Sequence, residues 1–251
     1  MRETDLMAGF AKGLKVIETF DDMRPRLSIA DVSKWTGYDR ATARRCLLTL
    51  VDCGYADFDG KYFSLTPRIL RLGHAYLAAT PLPRLTQPYL ERLSERTGES
   101  VSASVMDGNE IIYIARAAQR RVMSINLGPG SRLPAYCASM GRVLLAALPE
   151  AKARALLEAT DRKPLTPNTK TDLDALMDEL AIVRRQGYAS IDQELEIGLC
   201  SIAVPIENAR GQVVAAINIG TSSLHYTPAT LVEKLLPEMR DTQADMRLVL
   251  A

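Results

Sequence analysis

The chain has 251 residues, 47% hydrophobic and 24% charged, with a formal net charge of +1; this is ordinary globular composition, enough for one large domain or two smaller ones. No apolar run approaches a membrane span, and the acidic start Met1-Arg2-Glu3-Thr4-Asp5 is not a secretory signal, so a cytoplasmic protein is expected. Four scattered cysteines (Cys46, Cys53, Cys137, Cys200) and two distant histidines (His74, His225) fit neither a zinc site nor a disulfide framework, and no metal or cofactor is expected.

Leu6, Phe10, Leu14 and Ile17 form an apolar stripe that predicts a first helix ending near Asp22. Ser28 then caps a short helix, with Asp31 in a capping-box position and Thr36-Gly37 as its stop. Asp39 caps a longer helix from Arg40 to Val51. Ala43, Leu47, Leu50 and Val51 mark its inner side, and Arg40, Arg44 and Arg45 line another. Helix, glycine turn, helix is the helix-turn-helix layout. After Gly54 the apolar period changes to two. Asp59-Gly60 between two alternating runs predicts a hairpin with a type I′ turn, which is a wing.

In this layout the start of the second helix enters the major groove. Arg40, Thr42, Arg44 and Arg45 are therefore candidates for base or phosphate contact, and Ser28, Lys34, Tyr38 and Lys61 are candidates beside them. Residues 1–80 hold twelve Lys/Arg against ten Asp/Glu, so a basic footprint must be a patch. A solvated arginine face is the competing reading, and the agreement of successive elements disfavours it.

Thr66-Pro67 opens a linker helix that Pro81 and Pro83 are expected to end. Ile69, Leu72 and Tyr76 give it one apolar side, and Leu70 and Leu77 a second, as if its own domain and a partner subunit both cover it. The expected domains are a winged helix-turn-helix over 1–66, a linker helix over 67–80 and a third part over 81–251.

Beyond residue 80 the pattern mixes helices and strands. Leu85, Tyr89, Leu90 and Leu93 stripe a helix that stops at Thr97-Gly98. Strands are expected from Val101 to Val105, Ile111 to Ala115, Val122 to Leu127, Tyr188 to Asp192, Cys200 to Ile206 and Gln212 to Ile219. Helices are expected near Cys137 to Leu148, Asp172 to Gln186, and from Ala229 onward. This is an α+β fold with a mostly antiparallel sheet flanked by helices.

No phosphate-binding glycine loop, H-E-x-x-H or G-x-S-x-G is present. An enzyme with Cys137 or Cys200 as nucleophile lacks a histidine pattern but stays open at this point, as does a DNA-binding protein with no ligand. The stretch Gly130 to Gly141 is the most pocket-like. Its small residues either leave a helix start open to an anion or allow close helix–sheet packing.

Several segments together resemble the IclR family of bacterial regulators. They are Leu27-Ser28-Ile29-Ala30-Asp31-Val32, Thr42 to Leu50 with Gly54-Tyr55, Leu133-Pro134-Ala135-Tyr136 with Met140 to Ala146, and Gly198 to Ile206. Gly9 to Leu14 and Gly128 to Cys137 resemble its PcaR/PcaU/PobR subgroup. The resemblance implies a GAF-like effector domain, and homodimers or dimers of dimers on palindromic double-stranded operator DNA. It also implies a small aromatic or dicarboxylic acid effector from the protocatechuate/β-ketoadipate pathway, and RNA polymerase as a partner for an activator. Carried over, the pocket wall includes Leu127, Leu133, Tyr136, Ser139, Met140, Cys200, Ser201 and Asn218, the last standing where other members often carry a hydroxyl. Arg116 is the candidate for the effector carboxylate, unless it serves a surface salt bridge, and Asp192 and Glu194 are candidates to accept from ring hydroxyls.

Overall fold

The computed structural model describes residues 6–21, 23–119 and 127–250. The chain divides into two units, Met1–Ala79 and Thr80–Ala251. The first unit contains α1 (Ala8–Ile17), α2 (Ile29–Thr36), α3 (Arg40–Asp52), β1 (Ala56–Phe58), β2 (Phe63–Leu65) and α4 (Leu70–Ala79). Val16, Leu27, Val32, Ala43, Leu47 and Phe63 form its core. Ser28 and Asp31 make a reciprocal capping box at α2, and Gly37 ends that helix at φ 74°, a left-handed conformation that glycine adopts without a Cβ clash.

The hairpin forms, but not through the expected turn. A type I′ turn needs positive φ at both central residues. Here Gly60 has φ 101°, and Gln193 is the only non-glycine with positive φ among the described residues. Asp59 instead shapes the turn with its side chain: Oδ1 accepts from the Lys61 and Tyr62 amides at 2.9 and 2.8 Å. One positive φ at the first central glycine matches a type II′ pattern.

The second unit begins with α5 (Pro81–Thr97). Pro81 and Pro83 thus open a helix, where the missing proline N–H would be unpaired in any case. There follow β3 (Ser100–Asp107), β4 (Glu110–Ala117), β5 (Arg132–Pro134), α6 (Ser139–Ala146), α7 (Glu150–Glu158) and α8 (Leu173–Gln186). The unit ends with β6 (Ala189–Asp192), β7 (Leu199–Glu207), β8 (Val213–Ser222) and α9 (Pro228–Arg247). The strands form one six-stranded sheet in the order β5-β4-β3-β8-β7-β6, and every described pair is antiparallel. The strand expected from Val122 falls outside the described residues except for Leu127, which lies in a loop. Helix α7 had no counterpart in the sequence reading.

Strand alternation gives the sheet two faces. Val101, Cys200, Ile202, Ile217 and Ile219 pack with residues of α5 and α9. Tyr113, Ala189, Ala203 and Ala216 pack with residues of α6 and α8. The pocket lies on this second side.

Candidate DNA-reading face and effector pocket

In the first unit, Lys34, Arg40, Arg44, Arg45 and Lys61 are exposed. Among the described residues neither Arg40 nor Arg44 has an ion-pair partner. Both arginines are therefore free to meet phosphates or base edges. Tyr38 is half-buried, with the Lys12 ammonium 5.8 Å from its ring centroid. Ser28 spends its hydroxyl on the α2 cap, donating to Asp31 Oδ2 at 2.6 Å.

Thr42 corrects the sequence reading. It is only 6% exposed, and its hydroxyl donates to Asp39 Oδ2 at 2.8 Å while its amide donates to Oδ1 at 2.8 Å. The residue completes the N-cap of α3 rather than facing outward, and Arg45 Nη2 bonds back to its hydroxyl at 3.4 Å. Sequence reasoning also missed two cationic contacts: Arg24 stacks 4.2 Å over the exposed Trp35 ring, and Arg26 pairs with Asp59 at the wing tip.

In the second unit, one pocket gathers Arg116, Leu127, Leu133, Ser139, Met140, Ser201 and Asn218. Register explains how residues distant in sequence meet. Ser102 lies opposite Arg116 on one side and Asn218 on the other, so the three form a row across β4, β3 and β8. Arg116 Nη1 donates to Ser102 Oγ at 3.2 Å. The next row on this face places Ser100 and Ser201 on either side of Gly220. Ser201 Oγ donates to Ser139 Oγ on α6 at 2.9 Å. Asn218 is 9% exposed, and its Oδ1 is buried with no hydrogen-bond partner among the described residues.

Two expected wall residues and the two expected hydroxyl acceptors lie elsewhere. The Tyr136 hydroxyl donates to the Lys163 carbonyl at 2.6 Å, which turns the ring away, and the neighbouring Cys137 lines the pocket instead. Cys200 belongs to the opposite face of the sheet; consecutive strand residues cannot both face one side. Asp192 accepts from Cys200 Sγ at 3.0 Å. Glu194 is taken up by Arg142, whose Nη2 donates to it at 2.6 Å.

The sequence reading missed Ser100, Ser102 and Gly220, the loop residue Leu195 and Leu199 at the start of β7. A signal for the serines was present. Ser100, Ser102 and Ser104 alternate with Val101 and Ala103, as small polar residues on one face of a strand do. All three serines are buried, on the pocket side. Gly141, by contrast, settles the small-residue stretch: a Cβ there would sit 2.2 Å from the Ala135 backbone oxygen, so the glycine allows close packing.

Burial pushes both the Cys137 and the Cys200 thiols up to about 12. A nucleophilic cysteine needs the reverse shift, so neither thiol is suited to covalent catalysis. No cluster of three or more metal-ligating side chains occurs among the described residues, and no helix among them is long and apolar enough to cross a membrane.

Comparison with known proteins agrees with this architecture. The family model for the IclR helix-turn-helix domain matches residues 10–60, and the model for the bacterial transcriptional regulator IclR C-terminal domain matches residues 74–247. The Pca regulon regulatory protein of Pseudomonas putida is 44% identical over 97% of this chain and 84% of its own length. A transcriptional regulator from Rhodococcus sp. RHA1 superposes with a TM-score of 0.82 at 45% identity, covering 98% of both chains. A double mutant of the inducer-binding domain of PobR from Acinetobacter, solved with 3-hydroxybenzoic acid, covers 66% of this chain and 97% of its own at 33% identity, with a TM-score of 0.62. The protein is a DNA-binding transcriptional regulator of the IclR family, not an enzyme.

Proposed function

We propose that this regulator responds to a small aromatic carboxylic acid held in the second unit, and that it controls genes for aromatic-acid breakdown. The observation that carries the reading is the Arg116–Ser102–Asn218 row, which joins a cation to an amide whose buried oxygen has no partner among the described residues, along one wall of the pocket. A guanidinium suits a carboxylate. The apolar walls, including Leu133, Met140 and Leu195, suit a ring. Asn218 and the Ser139–Ser201 pair offer partners to ring hydroxyls, the role first assigned to Asp192 and Glu194. The hydroxybenzoic acid bound by the PobR domain is of this class.

On the DNA side, Arg40, Arg44 and Arg45 read the major groove, and Lys34, Tyr38 and Lys61 hold the backbone. Phe10 and Leu14 of α1 and Leu70, Leu72, Tyr76 and Leu77 of α4 are exposed; a second copy of the chain covers them, giving a dimer suited to palindromic half-sites. The protein works in the cytoplasm and meets RNA polymerase where it activates. The effector acts by binding one arrangement of the regulator more tightly than another.

The test is fluorescence anisotropy of the full-length protein on the DNA upstream of its own gene, against random competitor and at fixed salt. It is run with and without 4-hydroxybenzoate, 3,4-dihydroxybenzoate or 3-oxoadipate. Specific binding that shifts with an aromatic acid is expected. Specific binding that shifts only with 3-oxoadipate, or with none of the acids, overturns the aromatic effector and leaves the regulator.

A further inference from the structure

Arg142 and Glu194 are 1% and 4% exposed, yet neither lines the pocket. Arg142 lies on α6 one turn beyond Ser139. Its Nη2 donates to Glu194 Oε2 at 2.6 Å and its Nε to the Tyr136 carbonyl at 3.0 Å. Glu194 lies in the loop between β6 and β7 that brings Leu195 to the pocket wall. Hydrogen bonds anchor the loop as well. Thr169 Oγ1 donates to the Glu194 carbonyl at 2.6 Å, Thr166 Oγ1 to the Gln193 carbonyl at 2.6 Å, and the Lys170 amide to Glu194 Oε2 at 3.0 Å. Gln193, where the loop begins, stands at φ 57°, a conformation that a residue with a Cβ adopts at a cost.

The pocket encloses about 40 Å³, whereas sites that bury a small organic ligand hold roughly 300–1,000 Å³. Seating an aromatic ring fully inside it calls for a wall to move outward. The sheet is covered on both faces, and α6 is locked by Gly141 against the Ala135 backbone. The loop that bears Leu195 lies outside helix and strand, and a buried ion pair ties it to α6 through Arg142, whose Nη1 also lies 3.7 Å from Glu179 Oε1 on α8.

We propose that Arg142 and Glu194 are positioning residues for the effector site. They hold the Leu195 loop against α6 in the contracted state and so set the fraction of molecules open to ligand. This rests on the effector reading above. Neither side chain contacts the effector. Apparent affinity is the intrinsic affinity scaled by the binding-competent fraction, so loosening the pair makes binding tighter.

Effector binding is measured by stopped-flow fluorescence and calorimetry on the full-length protein, with 4-hydroxybenzoate and 3,4-dihydroxybenzoate as probes. Glu194→Gln keeps the shape and removes the charge. It is expected to lower the apparent Kd about threefold to tenfold and to raise the association rate in step, because the open fraction grows. Thr169→Val, which removes one loop hydrogen bond and leaves the ion pair, is expected to shift both quantities the same way by less. Thermal melts fix the folded fraction of each variant. If Glu194→Gln does not fold, Thr169→Val decides alone. Equal or weaker binding by the folded variants, with normal binding by the wild type, overturns the latch and leaves the effector reading standing. Failure of the wild type to bind either acid overturns both.

Discussion

Cys200 and Ser201 are consecutive residues of β7 that serve opposite faces of the sheet. The Cys200 thiol lies 3.0 Å from Asp192 Oδ1, and its side chain belongs to the core shared with α5 and α9. The Ser201 hydroxyl reaches across the pocket to Ser139. Ser201→Ala is therefore expected to weaken binding of a hydroxylated aromatic acid by about 0.5–1.5 kcal/mol, the net worth of one hydrogen bond. Cys200→Ala should lower stability and leave effector affinity unchanged. Calorimetric titration of both variants checks the pair.

The thiols give a second expectation. At pH 8 a thiol with a pKa near 12 is thiolate only on the order of 10⁻⁴ of the time, and Cys137 and Cys200 are also buried. Cys53 is exposed. A native thiol titration with Ellman's reagent should modify Cys53 quickly, and Cys137 and Cys200 only as the protein unfolds. Rapid labelling of either under native conditions contradicts this.

On the DNA side, Arg44→Ala should cost about 1–3 kcal/mol of operator binding and relax sequence preference at one base pair, as loss of a bidentate guanine contact does. Lys61→Ala should weaken binding across all sequences and reduce the salt slope by about one unit. Anisotropy titrations over a range of salt separate the two behaviours. If both variants match wild type, α3 does not present this face to DNA.

Two caps make the first unit acid-sensitive. The Ser28 hydroxyl and amide hold Asp31 below the usual 3.8, and the Thr42 amide and hydroxyl do the same for Asp39. Because both carboxyls are depressed on folding, their stabilisation is complete above the unfolded carboxylate range. It is lost as pH falls through the lower folded-state values. Asp39→Ala should lower Tm at pH 7, and its difference from wild type should shrink as the buffer is taken from about pH 5 toward pH 2. A constant difference across that range would show that the cap does not depend on the charge.

Gly141→Ala places a methyl against the Ala135 backbone. Overpacking of this kind typically costs about 1–3 kcal/mol, and backbone atoms yield less readily than side chains. The expected result is a lower Tm for the second unit together with reduced effector affinity, since α6 carries Ser139 and Met140. Differential scanning calorimetry with and without effector measures both.

Much of this molecule could be read from local chemistry. The caps at Ser28, Asp39 and Thr66 formed as side-chain hydrogen bonds at element starts, because capping depends on residues only two or three apart. The departures came where tertiary pairing decides. Asp59-Gly60 signals a turn, but the Asp59 carboxylate chose its type by accepting two amides. Pro81 looked like a stop and became a start. Pocket membership depends on strand register, which a one-residue error inverts; hence Cys200 was expected beside Ser201. Glu194 was legible as an acid near the site, but its partner Arg142 lies 52 residues away, and no local pattern reveals that pairing.

The unpartnered oxygen of Asn218 is expected to make the proposed site select for hydrogen-bond donors and not for shape alone. A benzoate bearing fluorine in place of the hydroxyl of a hydroxybenzoate would fill the same space, yet leave that oxygen as unsatisfied as before. A site built around such a group rejects the analogue that lacks the donor far more strongly than a purely apolar pocket rejects one missing a methylene. On the proposed reading, discrimination between hydroxylated and merely ring-shaped acids would rest on Asn218 together with the Ser139–Ser201 pair, and an organism growing among many benzoates would switch its genes on that distinction.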